Sequence, residues 1–180
     1  VMCSVFRCII LLNLIFCITF CRTESEAQSV LINEFMSSNL STIADEDGDY
    51  EDWIELCNTG EEPFNLAGCG LSDDETDPYR WVFPETVINS GGFIIIWASG
   101  KNRANSGAPL HTNFKIDANG ELLLFSSPNG VLLSNCEGVY LTSDRSYGQQ
   151  PDGENNWFYF AQPIPGNPNT SQGYSEIVDP

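Results

Sequence analysis

Apolar residues beyond position 28 fall into short runs that are rich in β-branched and aromatic side chains. Gly, Pro, Asn and Asp separate these runs, and no window of about 11 residues or more keeps a helical period. Short strands between regularly spaced turns are typical of an all-β sandwich or barrel. The predicted strands are Val30–Phe35, Trp53–Leu56, Trp81–Phe83, Gly92–Trp97, Glu121–Phe125, Gly130–Leu133, Gly138–Leu141 and Trp157–Phe160.

The same pattern predicts the position of some strands and the end of the domain. Ile94–Trp97 and Leu122–Phe125 are apolar on both faces, which favours interior strands. Asn119-Gly120 and Asn129-Gly130 suit tight hairpins, because both residue types tolerate positive φ. Pro163–Asn169 cannot pair inside a sheet, so we expect the domain to end at residue 169. Residues 170–180 would then be a linker or the start of a further domain.

The first residues have the pattern of a secretory signal peptide. Arg7 precedes an apolar run of 13 residues, Cys8–Phe20, which has the length of a signal-peptide core and is short for a bilayer span. Ser25 and Ala27 supply the small side chains that signal peptidase requires. We therefore predict a signal-peptide helix over 1–27, a domain over 28–169 and a secreted or cell-surface protein. An uncleaved membrane anchor is the alternative.

The cysteines beyond this segment are too few for a disulfide framework. Four of the seven cysteines lie within residues 1–27, which leaves Cys57, Cys69 and Cys136. Three thiols form at most one disulfide, and their spacing matches no zinc pattern. We predict that they are small buried residues in strands.

Charge narrows the choice of partner. The chain has 25 Asp and Glu against 7 Lys and Arg, a net charge of −18, and the charges within residues 1–27 cancel. Nucleic-acid binding depends on basic side chains that displace counterions from phosphate. DNA and anionic membrane surfaces are therefore poor partners, whereas a cation, a basic protein or a neutral glycan fits. Simple surface solubility is the other interpretation of the acidic excess.

The densest group of acids begins at Asp45 and continues to Glu55. Its alternate aspartates match positions 1, 3 and 5 of a calcium-binding loop, but Tyr50 replaces the required Gly and Leu56 the bidentate Glu. The segment is not an EF-hand. Calcium accepts oxygen ligands in flexible geometry, so an irregular calcium site competes here with a solvated acidic turn. The candidate ligands are Asp45, Asp47, Asp49 and Asp52.

Residues that could support catalysis are few. His111 is the one histidine, and no nucleophile elbow accompanies it. Gly91-Gly92 opens an apolar strand and does not form a phosphate-binding loop. We therefore assign no catalytic residue and no cofactor-binding residue, and calcium is the one cofactor left open.

Short motifs run in order over nearly all of the chain beyond residue 28. They are Leu31–Asn39, Asp45–Gly48, Asp52–Asn58, Asn65–Gly68, Leu71–Asp74, Trp81–Pro84, Gly91–Lys101, Leu110–Ile116, Ser146–Gly148, Pro151–Gly153 and Pro165–Asn167. Together these motifs resemble the lamin-tail domain in its bacterial secreted form. The resemblance implies an immunoglobulin-like β-sandwich and no family chemistry. Cys57, where an aromatic residue is expected, and Gln149, where an arginine often stands, depart from the family pattern.

The resemblance also implies a role. We expect a non-catalytic, monomeric module for adhesion, targeting or protein interaction at the cell surface, with a protein or glycan as its partner. Bacterial relatives are appended to secreted nucleases, hydrolases and CotH-like kinases. The alternative is therefore the N-terminal accessory domain of a longer secreted enzyme, and residues 173–180 resemble the entry to a further domain of a CotH-like protein.

Overall fold

Residues 29–177 are described by a computed structural model, and the predicted signal-peptide helix over 1–27 lies outside them. Thirteen strands and no helix form in this range, so no helix of the described part is long and apolar enough to cross a membrane. The strands are β1 Val30–Met36, β2 Asp52–Asn58, β3 Phe64–Asn65, β4 Gly70–Ser72, β5 Trp81–Val82, β6 Val87–Ile88, β7 Phe93–Ala98, β8 Leu110–His111, β9 Leu123–Ser126, β10 Leu132–Cys136, β11 Ser146–Gln149, β12 Trp157–Phe160 and β13 Gly173–Tyr174.

Two packed sheets make the domain a β-sandwich, as the strand pattern predicts. A seven-stranded sheet has the order β13-β12-β11-β1-β2-β7-β8, and a four-stranded sheet has the order β10-β9-β4-β5. Neighbouring strands are antiparallel except β7 and β8, and β3 pairs with β6 in a separate small sheet. The core between the sheets includes Ile32, Phe35, Ile54, Leu71 and Phe125, all fully buried.

The pairing of β1 with β2 places acidic side chains on the outer face of the large sheet. Phe35 pairs with Ile54, and both face the core. The preceding pair, Glu34 with Glu55, points to the opposite face because side chains alternate along a strand. The register shifts between Ile32 and Glu34, so a β-bulge inserts Asn33 beside this pair.

Some predicted details are wrong. Gly138–Leu141 forms no strand, because the Gly138 backbone lies directly against Glu121; a Cβ on Gly138 would come 1.9 Å from the Glu121 nitrogen. Asn119-Gly120 forms a turn that closes on Asp117 and joins no paired strands, whereas Asn129-Gly130 does connect β9 to β10.

The large sheet also extends beyond the end predicted at residue 169. Gly173 and Tyr174 pair with β12, so this part of 170–180 belongs to the same sheet. Pro163–Asn169 forms no strand, as its prolines predict, but it packs on the domain through hydrogen bonds of Gly166 and Asn169. Two backbone nitrogens and the Asn169 side chain donate these hydrogen bonds, so the segment is held in place although it forms no strand.

Candidate functional site

The acidic loop, residues 45–51, leads from β1 into β2. Asp45 is buried, and its Oδ1 accepts hydrogen bonds from the backbone nitrogens of Asp47 at 2.9 Å and Asp49 at 3.0 Å. Gly48 supplies the positive φ of 87° that the turn requires. These bonds fold the loop back on Asp45, so that three aspartates surround one point.

The Lys101 ammonium occupies that point. Its Nζ donates to Asp45 Oδ2 at 2.5 Å, to Asp49 at 2.7 Å and to Asp47 at 3.0 Å. Burial alone would raise the pKa of Asp45, but the Lys101 ammonium and the backbone amides hold it below its ordinary value. Arg103 and then Lys101 lower the pKa of Asp47 to about 2. Asp45 and Asp47 are therefore ionised, and the Lys101 ammonium is their shared cationic partner.

Three of the four predicted calcium ligands thus lie together, and the fourth does not. Asp52 begins β2 and lies beside the backbone amides of Asn39 and Ile116, where burial raises its pKa to about 6. Calcium binding at the acidic loop stays a prediction. Lys101 was not predicted as part of the site, although Lys101 and Arg103 are close neighbours in a chain with few cations.

A second set of contacts joins the acidic loop to the one histidine. His111 is fully buried, and its Nε2 lies 3.0 Å from both carboxylate oxygens of Glu46. Its Nδ1 lies 2.9 Å from Ser99 Oγ, and its ring stacks on Trp97 at 6.3 Å between centroids. Arg103 also donates to Glu46, at 2.5 Å.

Ser99, His111 and Glu46 are the residue types of a nucleophile, a base and an acid, but two of them are buried. Ser99 and His111 are buried between β7, β8 and the loop, and Ser99 Oγ accepts the Lys101 backbone N–H at 3.2 Å. Neither Ser99 nor His111 lines the surface cavities next to β9, β10 and β12 in the described domain. A nucleophile must reach its substrate, and the buried Ser99 does not. The contact between His111 and Glu46 instead holds the acidic loop against the sheet.

A different group of acids lies under Pro163–Asn169 on the outer face of the large sheet. We call the buried Glu34 and Glu55, together with the half-buried Asp152, the buried carboxyl cluster. Asn33 Nδ2 donates to Glu55 at 3.1 Å and to Asp152 at 2.9 Å. The Gly166 nitrogen donates to Glu55 at 2.6 Å. The Asn169 nitrogen donates to Asp152 at 3.1 Å.

No Lys, Arg or His within residues 29–177 forms an ion pair with these three carboxyls. Burial, with the charges of Glu55 and Asp152, raises the pKa of Glu34 to about 8, against a hydrogen bond from Ser146. Burial first, and Asp152 after it, raises the pKa of Glu55 to about 7. Glu34 is therefore neutral near pH 7.

Three buried oxygens of this region have no hydrogen-bond partner within residues 29–177. They are Glu34 Oε2 and the amide oxygens of Asn33 and Asn169. Sequence reasoning missed this cluster, although an acid inside the apolar run from Leu31 to Phe35 is a visible signal.

An open groove lies at the other end of β1. We call it the β10 groove; it has a volume of about 790 Å³. Val131 and Leu132 on one wall are 56% and 50% exposed, and Glu61 and Glu62 lie exposed on the other. The full lining is Ser29, Val30, Thr59, Gly60, Glu61, Glu62, Pro63, Phe64, Val131, Leu132 and Leu133.

Comparison with known proteins identifies the family. The model of the Lamin Tail Domain family matches residues 23–145, more than half of the chain. No curated protein matches the chain. The family match agrees with the β-sandwich seen in the structure, and this immunoglobulin-like fold is a non-catalytic, interaction-type domain. The chain belongs to the Lamin Tail Domain family.

Proposed function

We propose that this protein is a non-catalytic interaction module that acts outside the cell and binds a protein or a glycan there. The observation that carries the proposal is the burial of His111 together with Ser99, on which a Ser–His–Glu reaction would depend. The family match supports an interaction role for an immunoglobulin-like domain. Ser99 and His111 therefore offer no accessible group for catalysis. A role in binding is the function that the family match supports.

Several features support an exterior location. The apolar run Cys8–Phe20 and the small residues before Gln28 have the pattern of an export signal. A net charge of −18 keeps a protein soluble and apart from anionic surfaces. Cys57, Cys69 and Cys136 are buried, and none of them forms a disulfide within residues 29–177. Burial raises their thiol pKa values to about 12, 11 and 12, so these thiols are poorly reactive in an oxidising environment.

An activity screen tests the absence of catalysis. The purified protein should turn over no ester, glycoside, peptide, phosphodiester or nucleotide. Ser99→Ala is the control variant, because it removes the candidate nucleophile and leaves His111 paired with Glu46. Turnover that persists through purification and disappears in Ser99→Ala would overturn the proposal.

Intact-mass measurement tests the export step. We expect the protein recovered from the exterior to begin at Gln28, after cleavage behind Ala27. Recovery with the apolar segment still attached contradicts the cleavage, and recovery in the cell interior contradicts an exterior role.

A further inference from the structure

We propose that the β10 groove binds an extended segment of a partner protein, with alternate apolar side chains and flanking Lys or Arg. The segment adds along the open edge of β10. This inference rests on the proposed function and names the chemistry of the partner.

One edge of β10 has no partner strand in the described part of the chain. β10 is the last strand of its sheet and pairs with β9 alone among the described strands. Charges, prolines, β-bulges and covering segments usually block such an edge. Residues 131–135 carry no charge and no proline, and Leu132 is half exposed, although the register shifts between Leu132 and Ser134. Both Val131 backbone groups bond to Ser127. The Ile32 nitrogen donates to Ser134 Oγ at 3.1 Å, so the open edge is limited to Leu132 and Leu133.

The groove beside this edge has the size and chemistry for side chains of an added strand. Its volume of about 790 Å³ lies within the usual range for ligand sites. Phe64 and Leu133, both half-buried, supply apolar surface along its walls. In strand addition, backbone hydrogen bonds hold the peptide and pockets receive alternate side chains. A segment that alternates apolar and polar residues meets both requirements.

Charge selects a basic segment. Glu61 and Glu62 line the groove, both are exposed, and neither forms an ion pair within residues 29–177. No Lys or Arg lines the groove. The acids of the acidic loop, by contrast, already have Lys101 and Arg103 as partners. The groove therefore attracts Lys or Arg, and its field repels nucleic acid and acidic peptides.

A random dodecapeptide display library, panned on the immobilised protein, is the probe. Enriched sequences should alternate apolar residues and carry Lys or Arg, and bind with micromolar affinity that weakens as salt increases. Leu132→Asp should weaken an enriched peptide at least about tenfold, because it places a charge in the apolar contact. The double variant Glu61→Gln, Glu62→Gln should weaken binding several-fold and reduce the salt dependence.

Tyr140→Asp is the matched control, since Tyr140 is also 50% exposed but lies outside the groove. It should leave binding unchanged. Val131→Asp is a second groove variant for the case in which Leu132→Asp folds poorly. Failure of the library to enrich any sequence overturns the inference. Enriched peptides that bind both groove variants as well as the unaltered protein also overturn it, but they leave the interaction function standing.

Discussion

The acidic loop and the buried carboxyl cluster contain the same kind of side chain and handle its charge in opposite ways. In the loop, Asp45, Asp47 and Asp49 share the Lys101 ammonium, and the pKa of Asp47 decreases to about 2. In the cluster, Glu34 and Glu55 are paired on the neighbouring strands β1 and β2, and no cation within residues 29–177 forms an ion pair with them. Their pKa values rise to about 8 and 7, mainly because they are buried.

The difference shows that a count of acids does not give the charge of the folded protein. A buried carboxylate is costly unless a cation or several hydrogen bonds compensate it, and otherwise it takes up a proton. The loop keeps its charge because Lys101 lies within reach. The cluster has amides and a hydroxyl as donors, so its acid with the fewest donors, Glu34, is neutral near pH 7.

The largest expected effect is a loss of stability as the pH rises from 4.5 to 8. The folded-state pKa of Glu34, about 8, lies above the ordinary 4.5, so the folded protein retains a proton that the unfolded chain releases. This contribution is fully present below pH 4.5 and is lost as pH rises through 8. We expect the free energy of unfolding to decrease by on the order of 4 kcal/mol from Glu34 between these limits.

Urea denaturation across this pH range measures the effect. Glu34→Gln should make the pH dependence much shallower, because the neutral amide cannot ionise. A residual slope should remain from Glu55, whose pKa is also raised. If the free energy of unfolding of Glu34→Gln decreases as steeply between pH 4.5 and 8, Glu34 does not control the stability in this range.

A smaller effect is expected from removing the cation of the acidic loop. Lys101→Met leaves the buried Asp45 carboxylate without its ammonium, and we expect a loss of about 2 kcal/mol. Lys115→Met is the matched control: its ion pair with Glu51 is exposed and should contribute less than about 1 kcal/mol. Chemical denaturation of both variants at neutral pH gives the comparison. Equal losses would mean that Asp45 needs no buried partner.

Calcium tests whether Lys101 takes the place of a metal ion. We propose that calcium stabilises the unaltered protein little, since Lys101 already contacts Asp45, Asp47 and Asp49. In Lys101→Met, millimolar calcium should raise the melting temperature by binding the folded state, and an added Asp47→Asn should reduce that rise. The absence of a shift in Lys101→Met would remove the acidic loop as a calcium site.

The smallest expected effect comes from the exposed Arg103. Its contacts with Glu46 and Asp47 are open to water, so Arg103→Gln should change the melting temperature less than Lys101→Met does. High salt should remove the remaining difference in melting temperature between Arg103→Gln and the unaltered protein, because salt screens exposed charges. A larger loss in Arg103→Gln than in Lys101→Met would place the main support of the loop on its exposed side.

The sequence by itself determined the all-β class and most of the long strands. Alternation and turn residues are local properties, so Ile94–Trp97 and Asn129-Gly130 were predictable as an interior strand and a hairpin turn. The family motifs are equally local in character. Gly138–Leu141 failed as a strand because a backbone contact with Glu121 replaced the sheet pairing that its apolar pattern favoured.

Tertiary structure alone decided which acids are charged and where they lie. Lys101 reaches Asp45 across 56 residues of sequence, and Asp152 joins Asn33 across 119. A carboxyl pKa depends on burial and on neighbours within a few ångströms, and neither quantity is encoded in local pattern. Glu34 and Asp47 are both acidic residues in the sequence. They differ because the fold buries one under Pro163–Asn169 and places the other beside Arg103 and Lys101.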